Sequence, residues 1–98
     1  MFVRIVKLII KTEEISSFKT MFDEKKALIR NFPGCQFLEL YQDKNNKEIF
    51  FTYSYWDLEE DLENYRHSTL FKAVWEETKL KFNGKPEAWS VNKLVSLS

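Results

Sequence analysis

The chain offers few groups that could carry chemistry, and their scarcity narrows the reading. His67 is the only imidazole and Cys35 the only thiol, too few donors for a zinc site built on four nitrogen or sulfur ligands. Gly84-Lys85 lacks the glycine-rich run that cradles phosphates, and no GxGxxG is present to receive a dinucleotide. Ser68 precedes an apolar helical repeat, the place of a helix-capping hydroxyl rather than a nucleophile beside a base. His67 reads as an exposed residue at a helix junction. Cys35, following Pro33-Gly34 at a strand start, reads as a small buried hydrophobe. The suggestive set is aromatic: Tyr53, Tyr55, Trp56, Tyr65, Phe71, Trp75 and Trp89. Such rings suit core and interface packing, and they also suit a flat apolar cavity between a sheet and a broken helix, fitted to a planar ligand. Tyr65 is the candidate catalytic residue, because it places a hydroxyl on an apolar helical face. A buried phenol needs a hydrogen-bond partner, and a ligand oxygen can supply one. The expected ligand pocket comprises Arg4, Val6, Trp56, Tyr65, Phe71 and Trp75, with Arg4 assisting if it points inward.

These residues need elements to position them. Phe2 to Lys11 is rich in Val, Ile and Leu, which predicts a strand buried on much of both faces. From Thr12 the period changes: Ile15, Phe18, Phe22, Ile29 and Phe32 recur at three- and four-residue steps, predicting an amphipathic helix behind a Thr12 cap. Pro33-Gly34 stops it. Cys35 to Asp43 alternates Phe37, Glu39 and Tyr41 against Leu38 and Leu40, and Glu48 to Trp56 (EIFFTYSYW) has strand composition, so residues 35–56 are expected to form a hairpin about the Asp43–Lys47 turn. Asp57 with Glu60 resembles a capping box, and Leu58, Leu62 and Tyr65 share the face of the helix it would open. His67-Ser68 breaks that helix, and Ser68 caps a further segment with Leu70, Phe71, Val74 and Trp75. Gly84 and Pro86 punctuate. Ala88 to Leu97 is expected to form the last strand, with Trp89, Val91, Val95 and Leu97 on one side. The order β-α-β-β-α-β with a broken second helix predicts an α+β, ferredoxin-like fold with an antiparallel four-stranded sheet.

Ninety-eight residues make one domain, 1–98, with a thin core. Yet 16% of the residues are aromatic, more ring surface than a monomer of this size hides easily. Helices on one sheet face leave the other bare, and Arg4, Lys7, Glu39 and Lys93 do not cover it. Two sheets packed face to face would, so a homodimer through the sheet faces is expected. Lys+Arg and Asp+Glu balance at 15 each, which disfavours nucleic acid and anionic membrane as partners. No stretch approaches the roughly 20 apolar residues of a membrane span. The lone cysteine and the lack of a signal-peptide pattern in MFVRIVKLIIK point to the cytoplasm.

The stretch YSYWDLEEDLENYRHSTLFKAVW (residues 53–75), the Lys11-Thr12-Glu13 strand exit and Phe32-Pro33-Gly34-Cys35 before the second strand resemble the antibiotic biosynthesis monooxygenase family. The resemblance extends over essentially the whole chain. It implies a dimeric α/β barrel of ferredoxin-like subunits and oxygen chemistry without a metal or flavin cofactor, the electron-rich substrate itself supplying electrons to O₂. In the haem-degrading branch an Asn on the first strand, a Trp on the second helix and a later His do the work. Here Ile5 or Val6, Tyr65 and Trp75 stand in those places, which disfavours haem degradation. The quinol-oxidising branch often carries His where Tyr65 and Leu70 stand, and His67 falls out of register with both. The expected function is a cofactor-independent monooxygenase-like protein for a small aromatic or quinol substrate. The alternative is a non-catalytic dimeric module that binds a small hydrophobic ligand.

Overall fold

The computed structural model describes residues 1–98. Its elements run β1 (Phe2–Ile9), a 3₁₀ turn at Thr12–Glu14, α1 (Ile15–Arg30), β2 (Cys35–Gln42), β3 (Ile49–Trp56), α2 (Glu59–Arg66), α3 (Thr69–Thr78), a 3₁₀ turn at Lys79–Lys81 and β4 (Glu87–Val91). The four strands form one antiparallel sheet in the order β2-β3-β1-β4. β1 is central and pairs along its whole length with β3, from Phe2 opposite Trp56 to Ile9 opposite Ile49. Its β-branched content suits that place, buried between two neighbours. No helix is long and apolar enough to cross a membrane.

Strand alternation divides the sheet into two unlike faces. Phe2, Arg4, Val6 and Leu8 of β1 look toward the helices together with Phe50, Thr52, Ser54 and Trp56 of β3. The opposite face carries Ile5 and Lys7, then Phe37, Glu39 and Tyr41 of β2 and Phe51, Tyr53 and Tyr55 of β3. Here Phe37 stacks on Tyr55 with centroids 4.6 Å apart, Tyr53 lies 6.2 Å edge-on from both Phe37 and Tyr41, and the Tyr41 hydroxyl donates to the Glu39 carboxylate. Lys93 Nζ sits 4.6 Å above the Tyr55 ring. This face has no helix over it, and Tyr41 and Trp89 remain 48% and 43% exposed.

Several local expectations are corrected. Thr12 does not cap α1; its hydroxyl bonds the Glu48 carboxylate, the intervening 3₁₀ turn delays the helix, and Glu14 at the cap position makes no side-chain cap bond. Asp57 does not form a capping box, since Leu58 occupies the cap position of α2 and Asp57 Oδ2 instead accepts from Gln36 Nε2 at 2.9 Å. Leu58 is consequently exposed rather than sharing the buried face of Leu62. Arg4 belongs to the helix side, not to the bare face. The last strand ends at Val91, not Leu97: Val91 lies opposite Val3, and β1 begins only one residue earlier, so residues 92–98 have no β1 backbone left to pair with. The Asp43 turn is closed as its sequence suggests, Asp43 Oδ1 accepting from the Asn45 and Asn46 amides, both at 2.8 Å.

Gly34 is the residue that permits the α1–β2 connection. Its φ is +89°, a left-handed geometry costly for residues with a Cβ, and its carbonyl accepts from the Asp57 amide at 2.9 Å. An added Cβ would overlap the Asp61 side chain. Gly34→Ala is therefore expected to lower unfolding free energy by about 1–2 kcal/mol from the backbone alone, with displacement of Asp61 adding to it. Urea denaturation checks this; an unchanged midpoint would show that the loop relaxes freely.

Candidate functional site

The interior is not one continuous core. Leu8, Ile10, Phe18, Met21 and Phe50 pack as one cluster toward one end of the sheet, and Phe2, Cys35, Trp56 and Leu62 as a second toward the other. Between them the sheet presents Thr52 opposite Val6 and Ser54 opposite Arg4. The Thr52 and Ser54 side chains are too short to fill the distance to the helices. The result is a cavity of about 360 Å³, lined mainly by apolar groups of α1, α2, α3 and the sheet, within the size range of small-ligand sites.

Its wall is the broken helix, and the break is built by Ser68. The Ser68 hydroxyl donates to the Tyr65 carbonyl at 2.6 Å and accepts from the Phe71 amide at 3.0 Å, so one side chain closes α2 and opens α3. A row of rings follows from this turn. Trp56 stacks on Tyr65 with centroids 5.2 Å apart, Tyr65 meets Phe71 edge-on at 5.2 Å, and Phe71 stacks on Trp75 at 5.8 Å. Phe32 braces Tyr65 from behind at 5.3 Å. Such contacts fix ring orientation beyond what area burial does.

The polar groups at the cavity divide into satisfied and unsatisfied. Trp56 Nε1 donates to Ser54 Oγ at 3.0 Å, and Thr78 Oγ1 to the Val74 carbonyl at 2.6 Å. Tyr65 has no hydrogen-bond partner in the chain, and its hydroxyl is not sealed in the packing. Burial pushes its phenol well above the usual range, and neighbouring Cys35 adds to this. The group at this wall is thus a neutral phenol at neutral pH, a hydrogen-bond donor and not a base. Cys35 is itself buried, and burial raises its thiol above the ordinary value, as suits a packed hydrophobe and not a nucleophile. Arg4 Nη1 donates to Ser90 Oγ at 3.1 Å. Partial burial, and then the nearby Arg66 guanidinium, lower the Arg4 pKa, while Glu63 opposes them. Arg66 pairs with Glu63 at 2.9 Å and lines the same cavity.

The six residues expected at a pocket, Arg4, Val6, Trp56, Tyr65, Phe71 and Trp75, all line this cavity. The wider aromatic set does not stay together: Tyr53, Tyr55 and Trp89 lie on the opposite sheet face. His67 is outside, its side chain 78% exposed and 3.5 Å from Glu63. Sequence reasoning missed Thr52 and Ser54, which the two-residue period from Trp56 would have placed beside it. It also missed Arg66, and Phe18, Met21 and Phe22 of α1, because an apolar helical stripe looks alike over a core and over a cavity.

An antiparallel β2-β3-β1-β4 sheet with its helices on one side and the second helix split over a cavity defines the ferredoxin-like α+β class. The sequence profile of the antibiotic biosynthesis monooxygenase family matches residues 1–77, and the chain belongs to that family. A crystal structure described as an antibiotic biosynthesis monooxygenase superposes with a TM-score of 0.90 at 17% identity, covering 97% of this chain and all of the other. A conserved protein from Methanosarcina mazei Go1 superposes at 0.87 with 22% identity, over 95% of this chain and 93% of that one. Rv0793 from Mycobacterium tuberculosis does so at 0.87 with 13% identity, over 99% and 98%. At these identities the likeness is one of fold. Among curated proteins there is no significant sequence match.

Tyr65 gives the fold a measurable alkaline limit. Its phenol ionises at higher pH folded than unfolded, so its contribution is complete below the unfolded value of about 10 and is lost as pH rises above it. Urea midpoints at about pH 8 and about pH 11 are expected to fall further for the native chain than for Tyr65→Phe. Equal falls would mean that the phenol is hydrated.

Proposed function

We propose that this protein is a cofactor-independent monooxygenase-like enzyme that binds a small aromatic or quinol substrate in the cavity under α2 and α3. The observation that carries the reading is an apolar, ring-lined cavity with Tyr65, whose hydroxyl has no partner in the chain, among its lining residues. A quinol and O₂ balance to a hydroxyquinone and water, so the substrate's ring supplies the electrons and no separate reductant enters. The protein's share is to orient the ring between Trp56, Tyr65, Phe71 and Trp75, to keep water away, and to hold a substrate oxygen by donation from Tyr65. Membership of the family supports the reaction class. Haem degradation is disfavoured by Val6 on the cavity face of β1 and by Trp75, which offers no ligand to iron.

Oxygen consumption with a panel of quinols tests the proposal. Tyr65→Phe is expected to lower kcat/KM by about 10²-fold, the scale of losing one hydrogen-bond donor at a reacting centre. An unchanged rate would remove Tyr65 from the mechanism. The lack of an imidazole in the cavity, with His67 exposed outside it, favours a second reading: a module that binds a small hydrophobic ligand without turnover. Thermal upshifts with the panel and no oxygen uptake would select it.

We also propose that the protein acts as a homodimer through the bare sheet faces. The ladder of Phe37, Tyr41, Tyr53 and Tyr55, flanked by exposed Trp89 and Val91, is an apolar surface of the kind a two-fold interface covers. Light scattering at micromolar concentration is expected to give twice the 11.8 kDa chain mass, and Trp89→Glu to shift the population toward monomer. A native chain that is monomeric throughout would refute the interface. The neutral charge balance argues against nucleic acid as a partner, and the single free thiol of Cys35 favours a reducing, cytoplasmic location.

A further inference from the structure

We infer that the ligand of this cavity carries a carboxylate, which pairs with the Arg4 guanidinium. The inference rests on the cavity being the ligand site and goes further by naming the charge of what it takes. Arg4 stands in the central strand of the sheet, on the face whose other positions are Phe2, Val6 and Leu8. It is half-buried there, and its one hydrogen bond within the chain is to the neutral Ser90 hydroxyl at 3.1 Å. No carboxylate lies within ion-pair distance. Glu63, the acidic group whose field reaches it, is already engaged by Arg66 at 2.9 Å and lies 3.5 Å from His67. Glu87, which also borders the cavity, stands opposite Lys7 in the β1–β4 register, on the other face of the sheet from Arg4.

A guanidinium is permanently charged and carries five donors in a planar fork, most of which are unused here. Partial burial beside a second guanidinium, that of Arg66, is an unfavourable place for such a group unless an anion joins it. A fork of this shape matches a carboxylate in a bidentate pair, and the low polarity of the surrounding rings strengthens that pair. The ligand class is then an aromatic acid: a ring held among Tyr65, Phe71 and Trp75, and a carboxylate turned toward β1.

Trp56 and Trp75 line the cavity, so quenching of tryptophan fluorescence reports occupancy directly. Three probes of similar shape separate the contributions: a hydroxynaphthoate, its primary amide and the parent naphthol. The native protein is expected to bind the carboxylate at least about tenfold more tightly than the amide, the scale of one charge-assisted pair. Arg4→Gln is expected to abolish that preference while the naphthol still binds, which also verifies that the variant is folded. Arg4→Lys, a point charge without the fork, is expected to retain only part of it. Equal affinity for carboxylate and amide in the native protein would overturn the inference while leaving the cavity as a ligand site. A preference that survives Arg4→Gln would overturn the role of Arg4. Failure of all three probes to bind would overturn the inference together with the cavity reading on which it rests.

Discussion

The wall of this cavity depends on the hydroxyl of Ser68. A continuous helix from Glu59 to Thr78 would run straight over the sheet and carry the second half of its apolar face away from the strands. Instead one oxygen bonds the Tyr65 carbonyl and the Phe71 amide at once, alongside the Ser68 amide's own bond to that carbonyl, so the turn is tied to both helices. Because the two tethered residues are themselves the ring-bearing ones, the turn sets Tyr65 against Phe71 edge-on and leads the row of rings on to Trp75. Backbone closure and cavity wall are one construction.

The space under that wall is equally a matter of where bulk is withheld. β3 presents Phe50 and Trp56 at its two ends on the helix side, and both are almost wholly buried, one in each packed cluster. Between them stand Thr52 and Ser54, opposite Val6 and Arg4. Large residues at these middle positions would join the two clusters into one core and stabilise the domain through added burial. With only 13 of 98 residues buried, the domain has forgone that stabilisation in favour of an open interior. Each wall ring is held by its neighbours, which lets the cavity keep its shape with little core behind it.

Much of this was legible in the sequence, and the failures have identifiable causes. The order of elements followed from changes of period, and Ser68 as a cap from its place before Leu70, Phe71 and Val74. Tyr65 stands out as a hydroxyl on an otherwise apolar helical face. The capping roles assigned to Thr12 and Asp57 failed because both side chains found partners distant in sequence, Glu48 and Gln36, and a local pattern cannot see such competition. The overlong last strand had the right alternation through Val95 and Leu97, but strand length is set by the partner, and β1 has no residues left to pair. Arg4 was the hardest to place. A charged residue in an apolar strand is ordinarily assigned to the wetter face, and only the register fixes it opposite Ser54 on the helix side.

The two aromatic surfaces of the sheet are not independent, because β3 builds both. Its even positions Thr52, Ser54 and Trp56 floor the cavity, while its odd positions Phe51, Tyr53 and Tyr55 form the bare face. Strand alternation forbids moving one set without the other, and a slip of one residue would put rings into the cavity and hydroxyls on the outside. A second subunit covering the outer rings would therefore also stiffen the strand whose other side carries Ser54 and the Trp56 indole bonded to it. In a domain with so small a core, that support is the physical reason for the proposed dimer and the proposed ligand site to belong together. The interface would supply rigidity that the hollow interior cannot.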